Sequence, residues 1–221
     1  MTRQLSPTTQ GTLFVWTDID PAHEDDFNLW YDREHMEERV RIPGMPWARR
    51  YLARGAGRKY LAIYHTDSLD TFRSDAYRAA FTQQTDWSNQ NFARMTNTQR
   101  RVMLVAAEAG FGAGGALAMA ELVEDADPAA LTQALAALTD RPDVLRIQLM
   151  RPDPDLSTPL PSEAPGPRVM RQIVLVDTTS GAAADALATD FSALLGPQFH
   201  AAAAFDLIWS LDVADLPART G

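Results

Sequence analysis

The sequence predicts an α+β protein in which one series of strands and helices occurs twice. An apolar run ends in Asp-x-Asp-Pro-Ala at residues 18–22 and again at residues 125–129. The patterns after both motifs predict the element order β-α-β-β-α-β, the ferredoxin-like split βαβ arrangement. Between the copies lies AGFGAGG, residues 109–115, whose composition is typical of a linker. We therefore expect residues 1–108 and 116–221 to form two tandem ferredoxin-like repeats.

The elements of each repeat follow from the shared motif onward. Asp20 and Asp127 are good N-caps, and the proline after each suits the first helical position. Helices are predicted over residues 21–40 and 128–139, and a proline turn ends each of them. Apolar runs then predict two strands, a further helix and a closing strand. The predicted strands cover residues 47–54, 59–65 and 99–107 in the first repeat and 144–151, 169–177 and 205–213 in the second.

The second repeat contains a proline-rich segment, residues 152–168, with six of the chain's 14 prolines. Because proline cannot donate a hydrogen bond to a sheet, an extended surface loop is expected here. A plain insertion is the favoured interpretation, and a functional lid is the alternative.

Composition excludes several classes of function. The chain has no cysteine and carries 29 acidic against 20 basic residues, a formal charge of −9. Disulfides, thiolate metal sites and cysteine nucleophiles are therefore excluded, and the acidic balance argues against nucleic acid as a partner. No apolar run approaches the roughly 20 residues that span a bilayer, and the first ten residues lack the apolar core of a secretory signal. A cytoplasmic protein without a membrane partner is expected.

The two halves differ in chemistry. Up to residue 108 there are 14 basic and 14 acidic residues, and the remainder has 6 and 15. The first half also holds 14 of the 19 aromatic residues and three of the four histidines. If one repeat carries a site, it is the first.

The helix predicted over residues 21–40 combines aromatic and ionisable side chains on one face. At about 100° per residue, five residues lie within about 80° of Phe27. They are Trp30, Tyr31, Glu34, Glu38 and, at the edge, His35. Leu29, Met36 and Val40 form a separate apolar stripe roughly opposite. The corresponding helix of the second repeat has Ala137, Leu138, Arg141 and Pro142 where the first has Trp30, Tyr31, Glu34 and His35, so the fold itself does not require those side chains.

Cofactor-free proton transfer fits this face best. An ordinary histidine pKa of about 6.5 allows His35 to act as a general base near neutrality. Glu34 or Glu38, partly desolvated by aromatic neighbours, has a raised pKa in this interpretation. Trp30 and Trp87 supply flat walls for a small carbonyl or aromatic compound, and Arg50 holds a carboxylate or enolate oxygen. The expected reaction is an isomerisation, cyclisation or dehydration.

Three alternatives stay open. A metal site built on Glu34, His35 and Glu38 is disfavoured, because no His-Glu-x-x-His is present; no metal and no cofactor are expected. The same pocket could bind a small molecule without turnover. The histidine and glutamate could also be purely structural.

Several short motifs of the first repeat resemble the EthD-like branch of the dimeric α/β-barrel superfamily. They are Trp30-Tyr31-x-x-Glu34-His35, Pro43-Gly44, Arg49-Arg50-Tyr51 and the strand at residues 59–64. The resemblance implies two ferredoxin-like sheets that face each other and close a barrel, here within one chain. It also implies a pocket between sheet and helices, lined by His35, Tyr31 and Trp30, with Arg50, Tyr64 and Trp87 as neighbours. Superfamily members include isomerases, monooxygenases and polyketide-tailoring enzymes. Exposed sheet edges make a homodimer a further expectation.

Overall fold

The structure is a computed structural model and describes residues 4–218. Within this range it contains eight long strands and five helices. The strands are β1 (Gly11–Ile19), β2 (Trp47–Ala53), β3 (Tyr60–Thr66), β4 (Met95–Gly110), β5 (Ala116–Leu122), β6 (Val144–Pro152), β7 (Ile173–Thr178) and β8 (Phe199–Asp212). The helices are α1 (residues 21–40), α2 (Asp75–Thr82), α3 (Asp86–Arg94), α4 (Pro128–Ala136) and α5 (Gly181–Leu195).

The strands form one closed antiparallel barrel. Their order is β4-β1-β3-β2-β8-β5-β7-β6, and β6 pairs with β4 to close the circle. The long strand β4 closes the sheet because it is long enough to pair with β1 through Gly11–Leu104 and with β6 through Ala109–Ile147. Closure leaves no exposed edge among the eight strands. The α+β prediction is confirmed, and the tandem-repeat interpretation stays a prediction.

The inner and the outer face of the barrel wall each contribute to a different hydrophobic core. The interior is filled by large side chains, among them Phe14, Trp16, Tyr51, Met103 and Phe205. On the outer face, α1, α2 and α3 cover the strands of the first half and α4 and α5 cover those of the second. A packed interior leaves the layer between wall and helices as the place for a site. Within residues 4–218, no helix is both long enough and apolar enough to cross a membrane.

The predicted elements are present with shifted ends, except that the single further helix predicted in the first half is two helices, α2 and α3. The helix predicted to residue 139 stops at Ala136, and the strand predicted from residue 169 begins at Ile173. Strand β4 continues to Gly110, so the connection to β5 is shorter than the predicted linker. Gly44 ends the turn after α1 with φ of +83°, a conformation that glycine adopts without steric cost.

Helix α1 is not α-helical throughout. A 3-10 turn (Pro21–His23) leads into an α segment (Glu24–Trp30), a π segment (Tyr31–His35) and a last α segment (Met36–Val40). A π turn holds more residues than an α turn, so residues after it lie further back around the axis than a 100° wheel predicts. The predicted opposite stripe is wrong. Met36 and Val40, which follow the π segment, are buried in the same core as Phe27 for this reason, whereas Leu29, which precedes it, is exposed.

Candidate functional site

A cavity of about 290 Å³ lies between the outer face of the sheet and the helices of the first half. Strands β1, β3 and β4, helices α1, α2 and α3, and the proline-rich loop all contribute to its wall. Most of the lining side chains are apolar or aromatic, as in small-molecule sites generally. The lining residues are Leu13, Val15, Tyr31, His35, Arg39, Tyr64, Tyr77, Phe81, Gln84, Asn89, Phe92, Ala93, Met95, Arg100, Leu160 and Pro161.

His35 is the histidine of the cavity wall, and the π segment of α1 ends at it. Its ring lies against Trp30, with centroids 4.2 Å apart and a 32° tilt, and meets Tyr31 edge-on at 5.2 Å. Its Nδ1 is buried and makes no hydrogen bond in the described part of the chain. Burial, with Arg39 and Arg50 as further causes, holds the pKa of His35 well below its ordinary value. The imidazole is therefore neutral at physiological pH.

Two tyrosines share the wall with His35. Burial raises the pKa of Tyr31 and, more strongly, that of Tyr64, so both phenols stay protonated. A side-chain hydrogen bond between the Tyr31 and Tyr64 hydroxyls also affects both pKa values. The unpaired imidazole nitrogen beside the cavity is a polar group without a partner in the described protein, as a ligand-binding group would be.

Glu34 lies outside the cavity wall, so its predicted catalytic role has no support from its position. Its Oε1 accepts hydrogen bonds from Trp30 Nε1 at 3.2 Å, Ser88 Oγ at 3.0 Å and Thr85 Oγ1 at 2.6 Å. Thr85 is also the N-cap of α3. Glu34 therefore joins α1 to the start of α3, a structural role. Burial raises the pKa of Glu38, as predicted, but Glu38 does not line the cavity either.

Four predicted substrate-binding residues also lie behind the wall rather than in it. Trp30 and Phe27 are fully buried in the core, where they support His35 and Tyr31. Trp87 donates to the Asp26 carboxylate from its indole nitrogen. The fourth is Arg50. Of the predicted residues, the structure brings His35, Tyr31 and Tyr64 together around the cavity.

Arg50 is buried on the far side of Tyr31. Its guanidinium lies 3.9 Å from the Tyr31 ring centre and contacts Asn28 and Asp32. It faces a shallow cleft lined in part by Trp209, not the cavity. Its effect on the site is electrostatic, because its charge is one cause of the lowered His35 pKa.

Sequence reasoning missed two arginines of the wall. Arg39 follows His35 by one helical turn and donates to the Ala80 carbonyl oxygen at 2.9 Å and to Gln84 Oε1 at 3.3 Å. Arg100, on β4, donates to the Tyr77 hydroxyl at 2.8 Å and to the Thr158 carbonyl oxygen at 2.7 Å. The i,i+4 spacing of His35 and Arg39 was a usable signal for the first; Arg100 had none.

The proline-rich loop forms part of the wall through Leu160 and Pro161. It is held in place by Arg100 and by Glu163, which pairs with Arg101 and Arg168. Ser157, inside the loop, is buried and bonds the backbone of Val102. The loop therefore contributes to the cavity wall, and whether it is a plain insertion or a functional lid stays open.

The site offers few groups that would hold a metal ion. No cluster of three or more histidine, aspartate or glutamate side chains converges anywhere in residues 4–218. The cavity wall, as far as the described residues form it, contains no carboxylate.

No sequence-family profile matches the chain, and no curated protein does. Solved structures resemble it over nearly the whole length. An anthrone oxidase-like protein is 10% identical, covers 95% of this chain and 96% of its own, and has a TM-score of 0.61. A monooxygenase-like protein of Fusobacterium nucleatum is 6% identical, with 93% and 95% covered and a TM-score of 0.60. A haem-binding protein of Thermus thermophilus is 10% identical, with 96% and 94% covered and a TM-score of 0.54. At these identities the likeness establishes the fold and nothing beyond it.

Proposed function

We propose that the protein is a cofactor-free proton-transfer enzyme, an isomerase, cyclase or dehydratase, that acts on a small carbonyl or aromatic compound. The observation that carries the proposal is a neutral His35 with an unpaired Nδ1 in the wall of a mostly apolar cavity. We assign the chain to the EthD-like branch, as a tandem fusion, on its sequence motifs. A cytoplasmic location and a homodimer stay predictions.

The proposed chemistry begins with proton abstraction. An imidazole that stays neutral accepts a proton from an acidic C–H or O–H group of the bound compound. The protonated Tyr31 and Tyr64 phenols are donors that stabilise negative charge on the adjacent oxygen as it develops. Return of the proton to another carbon gives isomerisation, and loss of a leaving group gives dehydration. Low polarity around the ring strengthens these interactions relative to water.

The names of the neighbours favour an enzyme over a passive binder. Two of them are described as oxidase-like or monooxygenase-like. A deprotonated aromatic ketone is the electron-rich form that reacts with oxygen, so the same first step would serve an oxidation. Oxygen uptake is therefore a useful second measurement in any assay.

Haem fits this site poorly. Haem iron needs an axial side chain, and His35 is the histidine of the cavity wall. Its ring is covered by Trp30 on one face, and a volume of about 290 Å³ lies at the lower end of the range for small-molecule pockets. A tetrapyrrole with its substituents exceeds that space. We infer a ligand of one or two rings.

Deuterium exchange tests proton abstraction without knowledge of the final product. The protein is incubated in D₂O with 1-indanone and 2-tetralone, and loss of the α-proton signal is followed by NMR. We expect wild type to accelerate exchange and His35→Gln to lower the enzymatic rate by about 10² or more. The surface variant His200→Gln is the matched control and should match wild type.

Two results would decide against the enzyme. If His35→Gln exchanged as fast as wild type, His35 would not be the base. If the ketones raised the melting temperature but no exchange above buffer was seen, the non-catalytic binder would be the better description.

A further inference from the structure

Six arginines are buried in the described part of the chain, and they fall into two groups. Four have a carboxylate partner: Arg49 and Arg146 contact Asp177, Arg50 contacts Asp32, and Arg101 contacts Glu163. The other two, Arg39 and Arg100, make no ion pair within 4.0 Å among residues 4–218. These two are the ones that line the cavity.

Buried charge without a partner is costly, so proteins normally pair it. Arg39 and Arg100 are 4% and 3% exposed, and their hydrogen bonds go to backbone carbonyls, one amide and one phenol. None of these acceptors carries a negative charge. The described cavity wall contains no aspartate or glutamate, although the chain as a whole has a charge of −9. The described cavity wall therefore carries positive charge and no negative charge, in an acidic protein.

We propose that this cavity binds an aromatic carboxylic acid, with the carboxylate held by Arg39 and Arg100 and the ring against the apolar wall. The guanidinium group suits this task because its planar donors match a carboxylate. Apolar surface for one or two rings comes from Phe81, Phe92, Leu13 and Met95. The inference names the ligand class of the site for which proton transfer is proposed, and binding itself does not depend on turnover.

Calorimetric titration of matched pairs tests the inference. The acids are benzoate, trans-cinnamate, 1-naphthoate and 2-naphthoate, and each is compared with its methyl ester at pH 7.5. We expect at least one acid to bind about tenfold or more tightly than its ester. Arg39→Met and Arg100→Met should each weaken that acid by about tenfold to a hundredfold and leave the ester unchanged.

Control variants separate local charge from overall charge and from folding. Arg78→Met removes the same charge from an exposed position of α2 and should leave acid binding unchanged. Arg39→Lys and Arg100→Lys keep the charge and should retain part of the preference for acids. Melting curves establish that each variant is folded.

The inference is overturned if no acid binds more tightly than its ester, or if the methionine variants keep the preference. Failure of the proposed enzyme is a separate result. His35→Gln should still bind the acid, so acid binding without deuterium exchange would leave this ligand class standing and remove the catalytic role of His35.

Discussion

Arginine and histidine side chains are buried both in the cavity wall and in the barrel interior, but among the described residues the arginines of the interior have carboxylate partners and those of the cavity wall do not. In the interior, Arg101 lies 2.5 Å from Glu163, and Arg146 lies 2.9 Å from Asp177. In the cavity wall, Arg39 and Arg100 have neutral acceptors only. A buried charge that has a carboxylate partner in the protein thus serves the structure. A buried charge without such a partner points to a ligand.

The two helix layers extend this comparison. Helix α1 buries His35 and Arg39, whereas α4 buries Leu131 and Leu135, and α5 buries only alanine, leucine and phenylalanine. Both layers cover strands of the same barrel. Apolar side chains are therefore sufficient to attach a helix to this wall, and the ionisable residues of α1 need another explanation.

The sharpest test of the comparison is removal of one arginine from each region. We expect Arg101→Met to lower the free energy of unfolding by about 3 kcal/mol, because it leaves Glu163 buried with Arg168 alone. Arg39→Met leaves no carboxylate unpaired and should cost less than about 1 kcal/mol. Urea denaturation measures both. Equal losses would mean that Arg39 is as structural as Arg101.

Sequence patterns predicted the element order and part of the site. The apolar periods and the two Asp-x-Asp-Pro-Ala motifs predicted the order of the elements, because these signals are local. The one further helix predicted in the first half is two helices, α2 and α3. Closure into a barrel was implied only by the resemblance, since it depends on the pairing of β4 with β6, far apart in sequence. Of the residues selected for one pocket, His35, Tyr31 and Tyr64 line the cavity, and their roles stay a prediction.

The residues that were wrongly assigned or overlooked in the sequence have physical explanations. No residue pattern marks a π segment, so the helical wheel assigned Glu34 to the same face as His35. Arg39 lies in the last turn of α1, where cations are common because of the helix dipole, so its position there does not mark a site. Arg100 depends on the loop carbonyl of Thr158, which only the folded chain brings near it. The sequence also does not distinguish a side chain of the core from one of the cavity wall. Trp30 was for that reason expected to line the pocket, although it is buried in the core.

The two buried histidines, His35 and His65, can be compared by their response to acid. In the barrel interior, His65 is stacked on Trp47 with ring centroids 4.6 Å apart. Burial, followed by Arg146 and Arg49, lowers the pKa of His65 to about 4. The unfolded chain takes up this proton near pH 6.5, so the stabilisation is complete above that pH and is lost as pH falls toward 4. Between pH 7.5 and 5.0 this loss is about 2 kcal/mol. His65→Gln should reduce the acid-induced loss by that amount in urea denaturation.

The pKa of His35 is lowered in the same direction as that of His65, but only His35 is expected to act in the exchange reaction. Its lowered pKa keeps the imidazole neutral, so deuterium exchange should not fall between pH 7.5 and 6.0. His65→Gln should leave exchange unchanged, because His65 does not line the cavity. An inflection of the wild-type exchange rate near pH 6.5 would contradict a depressed His35 pKa.

The smallest effect is expected at Glu34, and it distinguishes a supporting residue from a catalytic one. Glu34→Ala removes the acceptor shared by Trp30 Nε1, Ser88 Oγ and Thr85 Oγ1, and Trp30 retains Ser88 as its remaining acceptor at 3.0 Å. Because most donors keep a second partner or reach solvent, the cost should be about 1 kcal/mol of unfolding free energy. The exchange rate per folded molecule should stay within about twofold of wild type, since Glu34 does not reach the cavity. A loss of exchange comparable to that of His35→Gln, with stability intact, would restore Glu34 to the catalytic set.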